Sequence, residues 1–128
     1  MSDTRRRALV VTASNRAAAG VYQDTGGPII VDALAGEGFV VDGPVVVADG
    51  DPVEQALRHA VEAAYDVVIT TGGTGISPLD LTPEATSRVV QRIVPGIADA
   101  IRAQGIAAGV PTAGVAGSVS AIGETLAS

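Results

Sequence analysis

"DVVITTGGTGISPLDLTP", residues 66–83, decides how the chain is read. Asp66 to Thr71 is short, continuous and β-branched, and it reads as a strand. It runs straight into three glycines within four positions, Gly72, Gly73 and Gly75. A lone acid, Asp80, follows. Thr82-Pro83-Glu84 then opens a helix in cap-plus-proline form, expected to run to about Val94. A strand that delivers bare backbone and then a helix is the local pattern of an open parallel α/β sheet.

The same alternation continues on both sides. Ala8 to Ser14 is a second apolar, β-branched run, read as a strand buried on both faces. Asn15 to Thr25 reads as a loop. A helix is expected from about Gly27 to Ala35, stopped by Gly36 and Gly38. Phe39 to Val41 and Val45 to Val47 form a further strand region, interrupted by Gly43-Pro44. Asp51-Pro52-Val53-Glu54 reads as a helix opening, with Asp51 as N-cap, Pro52 at the first helical position and Glu54 reaching back. Val53, Ala56, Leu57, Ala60, Val61 and Ala64 give that helix one apolar face. His59 lies off the stripe and reads as exposed. A further helix over Ile97 to Gln104 and an extended start at Val110 to Ala113 complete the pattern. The expected fold is α/β: one domain over residues 1–128, a three-layer sandwich around a mostly parallel, Rossmann-like sheet.

Composition sets the outer limits. The 128 residues suit one domain; 47% are hydrophobic but only 2% aromatic, so the core must be built from aliphatic side chains. The net charge of −6 leaves no basic stripe for nucleic acid. Arg5-Arg6-Arg7 reads as a solvated tail ahead of the first strand. With no cysteine there is no disulfide, Cys-ligated metal or thiol nucleophile. No apolar run approaches the length of a membrane span, and no signal peptide is visible, so the expectation is a cytoplasmic protein with no membrane partner. A mean hydropathy of +0.38 hints at apolar surface covered by another copy of the chain.

In parallel α/β sheets, ligands bind beyond the carboxyl ends of the strands. Three loops leave from those ends here: Ser14 to Asp24, Ala48 to Asp51, and Gly72 to Asp80. Gly72, Gly73 and Gly75 allow close approach to peptide N–H groups, and Thr74 and Ser77 add hydroxyls. The loop matches neither GxGxxG nor the Gly-Lys-Ser/Thr phosphate loop, so a phosphate cradle and a plain tight turn both fit it. Asp49 and Asp80 bring carboxylates to the same sheet edge. A divalent cation between acids and phosphate oxygens would reconcile them, as Mg²⁺ does in ATP-using sites. The alternatives are turn residues in Asp49-Gly50 and in Pro78-Leu79-Asp80. Arg16 fits either an anion clamp or a surface arginine.

"SNRAAAGVYQDTGGP" at 14–28 and "TTGGTGISPLDLTPEAT" at 70–86 resemble the two signature segments of the MogA/MoaB family of molybdenum-cofactor biosynthesis proteins. The second segment is long and specific, and the resemblance runs from about Arg7 to Thr112. It implies a molybdopterin adenylyltransferase, a nucleotidyltransferase that uses ATP and Mg²⁺ to adenylate molybdopterin. It implies Asp49 and Asp80 as the functional acids; Asp80 is expected to hold the metal or orient the pterin phosphate, with Asp49 as the second metal-side acid. It further implies Gly72, Gly73, Thr74 and Gly75 as the substrate loop, to which Ser77 adds its hydroxyl, and Ser14 and Arg16 as its N-terminal part. Family members form trimers or larger assemblies and hand product to a molybdate-inserting, MoeA-like protein. After Ala113 the family continues with a further strand, an Asn-Leu-Pro-Gly loop and a final helix. "GVAGSVSAIGETLAS" does not follow that pattern, so the expectation is a domain lacking those elements. The alternatives are a MoaB-like paralogue that holds molybdopterin without adenylating it, or a scaffold domain.

Overall fold

A computed structural model describes residues 5–73, 78–90, 92–93, 96, 99–100, 103–104, 107–109 and 121–122. Strand β1 (Arg7–Ala13) is followed by a short helix α1 (Asn15–Ala18), helix α2 (Gly26–Gly36), strand β2 (Val40–Val47), helix α3 (Asp51–Glu62) and strand β3 (Val67–Thr71). Helix α4 (Thr82–Ser87) and the two-residue strands β4 (Arg92–Ile93) and β5 (Ala121–Ile122) complete the described elements.

The three longer strands form one parallel sheet in the order β2-β1-β3. The central place of β1 explains its largely apolar run, since helices cover it from both sides. Ala8, Val10 and Val11 are fully buried and Leu9 and Ala13 nearly so. Alternation sends Leu9, Val11 and Ala13 to one face, against Val53, Leu57 and Ala60 of α3 and Ala85 of α4. Thr12 points to the other face, where α2 begins at the level of Gly27. Helices on both faces of a parallel sheet are the three-layer α/β architecture expected from the sequence. The core is aliphatic apart from Tyr65. Each fully buried Val or Leu contributes about 1.5–3 kcal/mol relative to exposure.

Several local expectations need correction. The Gly43-Pro44 pair does not interrupt β2: Leu9 pairs with Asp42 and Val11 with Val45, so one continuous strand absorbs the dipeptide as a bulge. A proline is tolerated there because β2 lies at the edge of this sheet. Asp51 is not the N-cap of α3; Gly50 is, with φ +89, and its carbonyl accepts from Val53 and Glu54. Asp51 is the first helical residue and still favours the positive helix end. Glu54 turns away from the cap because Arg58 and Arg88 draw its carboxylate outward. The loop after β1 contains α1, which Ser14 caps by accepting from the Ala17 amide at 3.2 Å.

Helix α4 stops at Ser87 rather than near Val94. Arg92 and Ile93 pair antiparallel with Ala121 and Ile122 instead, in keeping with the β-branched Val89-Val90 and Ile93-Val94 around them. Within the expected later helix, Asp99, Ala100, Ala103 and Gln104 are helical. Val110 to Ala113 lies outside the described residues. Arg7 is not part of a solvated tail. It opens β1, stacks over the Tyr65 ring at 4.4 Å and donates to the Ala63 carbonyl at 2.8 Å. His59 is exposed, as its position off the apolar stripe indicates.

Candidate functional site

Chain order fixes where the loops meet. From β1 the chain moves to one neighbour, β2, through α2, and then crosses to the other neighbour, β3, through α3. The strand order therefore reverses beside β1, and the loops after β1 and β3 leave from adjacent carboxyl ends. Gly72, just past β3, packs against the Ala13 carbonyl at the end of β1, and a side chain there would run into it.

Asp49 occupies the middle of this rim. Its Oδ1 accepts from the Gly50 amide at 2.8 Å and from the Thr82 hydroxyl at 3.0 Å. Its Oδ2 accepts from the Leu81 amide at 3.0 Å. Its own amide donates to Asn15 Oδ1 at 3.0 Å. One acid thus joins the loop after β1, the loop after β2 and the start of α4. Asp80, half-buried, sits immediately before Leu81, so both acids singled out in the sequence lie on one rim.

Gly73 completes the junction. It has φ +64, a side chain at this position would meet Thr82 Oγ1 and the Asp49 carboxylate, with Cγ only 2.8 Å away, and its carbonyl accepts from the Thr82 amide at 3.1 Å. Both Gly72 and Gly73 therefore serve the close packing of the chain on itself. Gly72 remains exposed and Gly73 half-buried, so the turn opens to solvent. Thr74, Gly75 and Ser77 lie outside the described residues.

A second acid organises the first loop. Asp24 Oδ1 accepts from the Gly27 amide at 3.1 Å, and Oδ2 from the Thr12 hydroxyl at 2.9 Å. Gly27 is buried, and a side chain there would meet Pro44 Cβ at 2.6 Å and Thr12 Oγ1 at 2.7 Å. Ser14 is half-buried beside this loop, and Arg16 lies exposed on α1.

Behind the rim, α4 is clamped to α3. Glu54 pairs with Arg88 and, at 3.1 Å, with Arg58, while Arg58 also donates to the Arg88 carbonyl at 3.2 Å. The hydrogen bond from Arg88, and then that from Arg58, hold the Glu54 carboxyl below its ordinary value. The same bond to Glu54 raises Arg88. At the opposite end of the sheet the Tyr65 hydroxyl donates to Asp42, which raises the phenol above its ordinary value.

Reading by sequence brought Asp49, Asp80, Gly72 and Gly73 to one edge but missed Thr82 and Asn15. Thr82 reads as a helix cap beside Pro83; it is instead the first helical residue, 2% exposed, with its hydroxyl on Asp49. Nothing in the spacing of Asn15 announces a partner thirty-four residues away. Among the described residues no group of three or more His, Asp or Glu side chains is arranged to hold a metal ion by itself.

Residues 9–126 match the model of a family described as "Probable molybdopterin binding domain". A molybdopterin adenylyltransferase of Helicobacter pylori strain J99 is 37% identical over 97 residues, covering 73% of this chain and 55% of the relative. A solved MogA structure superposes with a TM-score of 0.89 at 52% identity, covering 92% of this chain and 78% of that one. The molybdopterin biosynthesis Mog protein of Mycobacterium ulcerans does so with a TM-score of 0.88 at 46% identity, covering 95% and 77%. The chain spans about half the length of the curated relatives it matches.

Proposed function

The chain belongs to the MogA/MoaB family of molybdenum-cofactor biosynthesis proteins, and from that premise we propose that it adenylates molybdopterin with ATP. An oxygen of the terminal phosphate of molybdopterin forms a bond to the α-phosphorus of ATP. The bond from that phosphorus to the oxygen bridging to the β-phosphate breaks, and pyrophosphate leaves with the electron pair. The reaction brings several anionic groups together, so alignment and charge neutralisation dominate its barrier. No nucleophilic side chain is required.

The observation that carries this proposal is the junction at the rim. Asp49 abuts Gly73 and accepts from the amide next to Asp80, so backbone amides and acids share one solvent-facing edge. In this proposal the Gly72–Gly73 turn, with Thr74, Gly75 and Ser77 beyond it, receives phosphate. Ser14 and Arg16 flank the nucleotide or pterin, and Asp80 and Asp49 are the functional acids.

Magnesium, when bound, supplies positive charge between phosphate oxygens. The donor set fits an ion that takes one or two carboxylates and keeps phosphate and water oxygens for the rest. Asp80 and Asp49 are the protein ligands we propose. Asp49 Oδ1 already accepts twice and Oδ2 once, which leaves Asp49 a single lone pair to offer.

We also place the protein in the cytoplasm as a homotrimer or larger homo-oligomer that passes product to a MoeA-like partner. Exposed Val21, Ile29 and Leu79 are consistent with association. Among the described residues no helix is long and apolar enough to cross a membrane. The test is to incubate the chain with molybdopterin, ATP and Mg²⁺ and to follow pyrophosphate and the adenylated pterin. Saturable molybdopterin binding without pyrophosphate release would refute adenylation and leave a binding protein.

A further inference from the structure

We infer that Thr82 and Asp49 form a positioning pair: the Thr82 hydroxyl fixes the Asp49 carboxylate across Gly73 and so sets the base of the segment that carries Asp80. This rests on the adenylyltransferase reading above. Gly73 and Thr82 meet directly. The Thr82 amide donates to the Gly73 carbonyl at 3.1 Å. Beside that bond, Asp49 receives the Thr82 hydroxyl at 3.0 Å, the Leu81 amide at 3.0 Å and the Gly50 amide at 2.8 Å.

Thr82 is 2% exposed, so its hydroxyl has no water to turn to. Gly73 lies against the same junction, where a Cβ would meet Thr82 Oγ1 and stand 2.8 Å from Asp49 Cγ. A carboxylate committed to three donors is a poor metal ligand and a good anchor. Asp80, one residue from the Leu81 amide, inherits its placement from that anchor. Asp49 accordingly acts through Asp80, and Thr82 acts through Asp49.

Wild type, Thr82→Ser and Thr82→Val are compared in Mg-ATP-dependent pyrophosphate release with molybdopterin, each with its thermal midpoint. Thr82→Ser, which keeps the hydroxyl, is expected to retain kcat within about threefold, and Thr82→Val to lose about tenfold or more. KM for ATP stays near wild type in both. Equal losses in Ser and Val variants, or no loss in Val, overturn the proposal.

Asp49→Asn tests it independently of whether Thr82→Val folds. Positioning predicts a lower kcat with an unchanged half-saturating Mg²⁺ concentration, and a requirement for several-fold more Mg²⁺ overturns it. Adding Thr82→Val to Asp49→Asn should lower kcat no further; independent losses overturn it. A wild-type chain that releases no pyrophosphate refutes adenylation itself. Molybdopterin affinity then becomes the readout: weakening in Thr82→Val but not Thr82→Ser supports the pair, and equal affinities overturn it.

Discussion

Replacing Gly73 with alanine tests the packing of the rim without touching a charged group. Two costs arise. Alanine at φ +64 is held in the left-handed region at about 1–2 kcal/mol. The new methyl also has nowhere to go, because Asp49 Cγ would lie 2.8 Å away with Thr82 Oγ1 beside it. Relieving that contact means either overpacking, about 1–3 kcal/mol, or separating the Thr82 hydroxyl from a carboxylate, about 1.5–3 kcal/mol. The total is about 2–5 kcal/mol.

Gly20 provides the control. Its φ is +75, but nothing lies within 4 Å of where a Cβ would stand. Gly20→Ala therefore carries the backbone cost alone, about 1–2 kcal/mol. Urea unfolding followed by far-ultraviolet circular dichroism suits a chain without tryptophan. If Gly73→Ala falls within about 1 kcal/mol of Gly20→Ala, carboxylate and glycine are not in the contact described and the reasoning fails.

Asp80→Asn should reduce adenylation by about a hundredfold or more in a chain that still folds, as read by far-ultraviolet circular dichroism; near-normal turnover removes Asp80 from the mechanism. The Glu54 carboxyl titrates below its ordinary 4.5 because Arg88 and then Arg58 bond to it. Its contribution is therefore complete above that pH and is lost as pH falls through the lowered value. The stability gap between wild type and Glu54→Gln should close on acidification and narrow with salt, because the pair is partly exposed. Tyr65 titrates above its ordinary 10.0, through its hydrogen bond to Asp42 and then burial, so its contribution is complete below pH 10 and is lost as pH rises through the raised value. In a Tyr22→Phe background, phenolate absorbance should appear later in the folded chain than in urea.

The sheet was legible because its signal is local. Ala8 to Ala13 and Val67 to Thr71 hold only aliphatic residues and threonine, with no charged residue or proline, as suits strands covered on both faces. The two acids and the glycine turn were legible as neighbours because parallel topology sends the relevant loops to one edge. Helix boundaries were less legible where tertiary contacts decide them. Gly50 displaced Asp51 as cap, and α4 ended at Ser87, with Arg92 and Ile93 beyond it in a strand. The role of Arg7 was hidden because its partners, Ala63, Tyr65 and Asp66, lie far along the chain. Thr82 and Asn15 were hidden for the same reason: a side chain that binds a distant backbone leaves no period or spacing behind.

The bond from the Asp49 amide to Asn15 has a mechanical meaning. Through it, the loop after β1 is wired in series with the acid that holds the start of α4. Because Asp49 is common to these bonds, displacing it loosens all of these segments together. The entropic cost of ordering the Asp49 junction then falls on folding and not on the arrival of a ligand, which meets a surface already arranged for it.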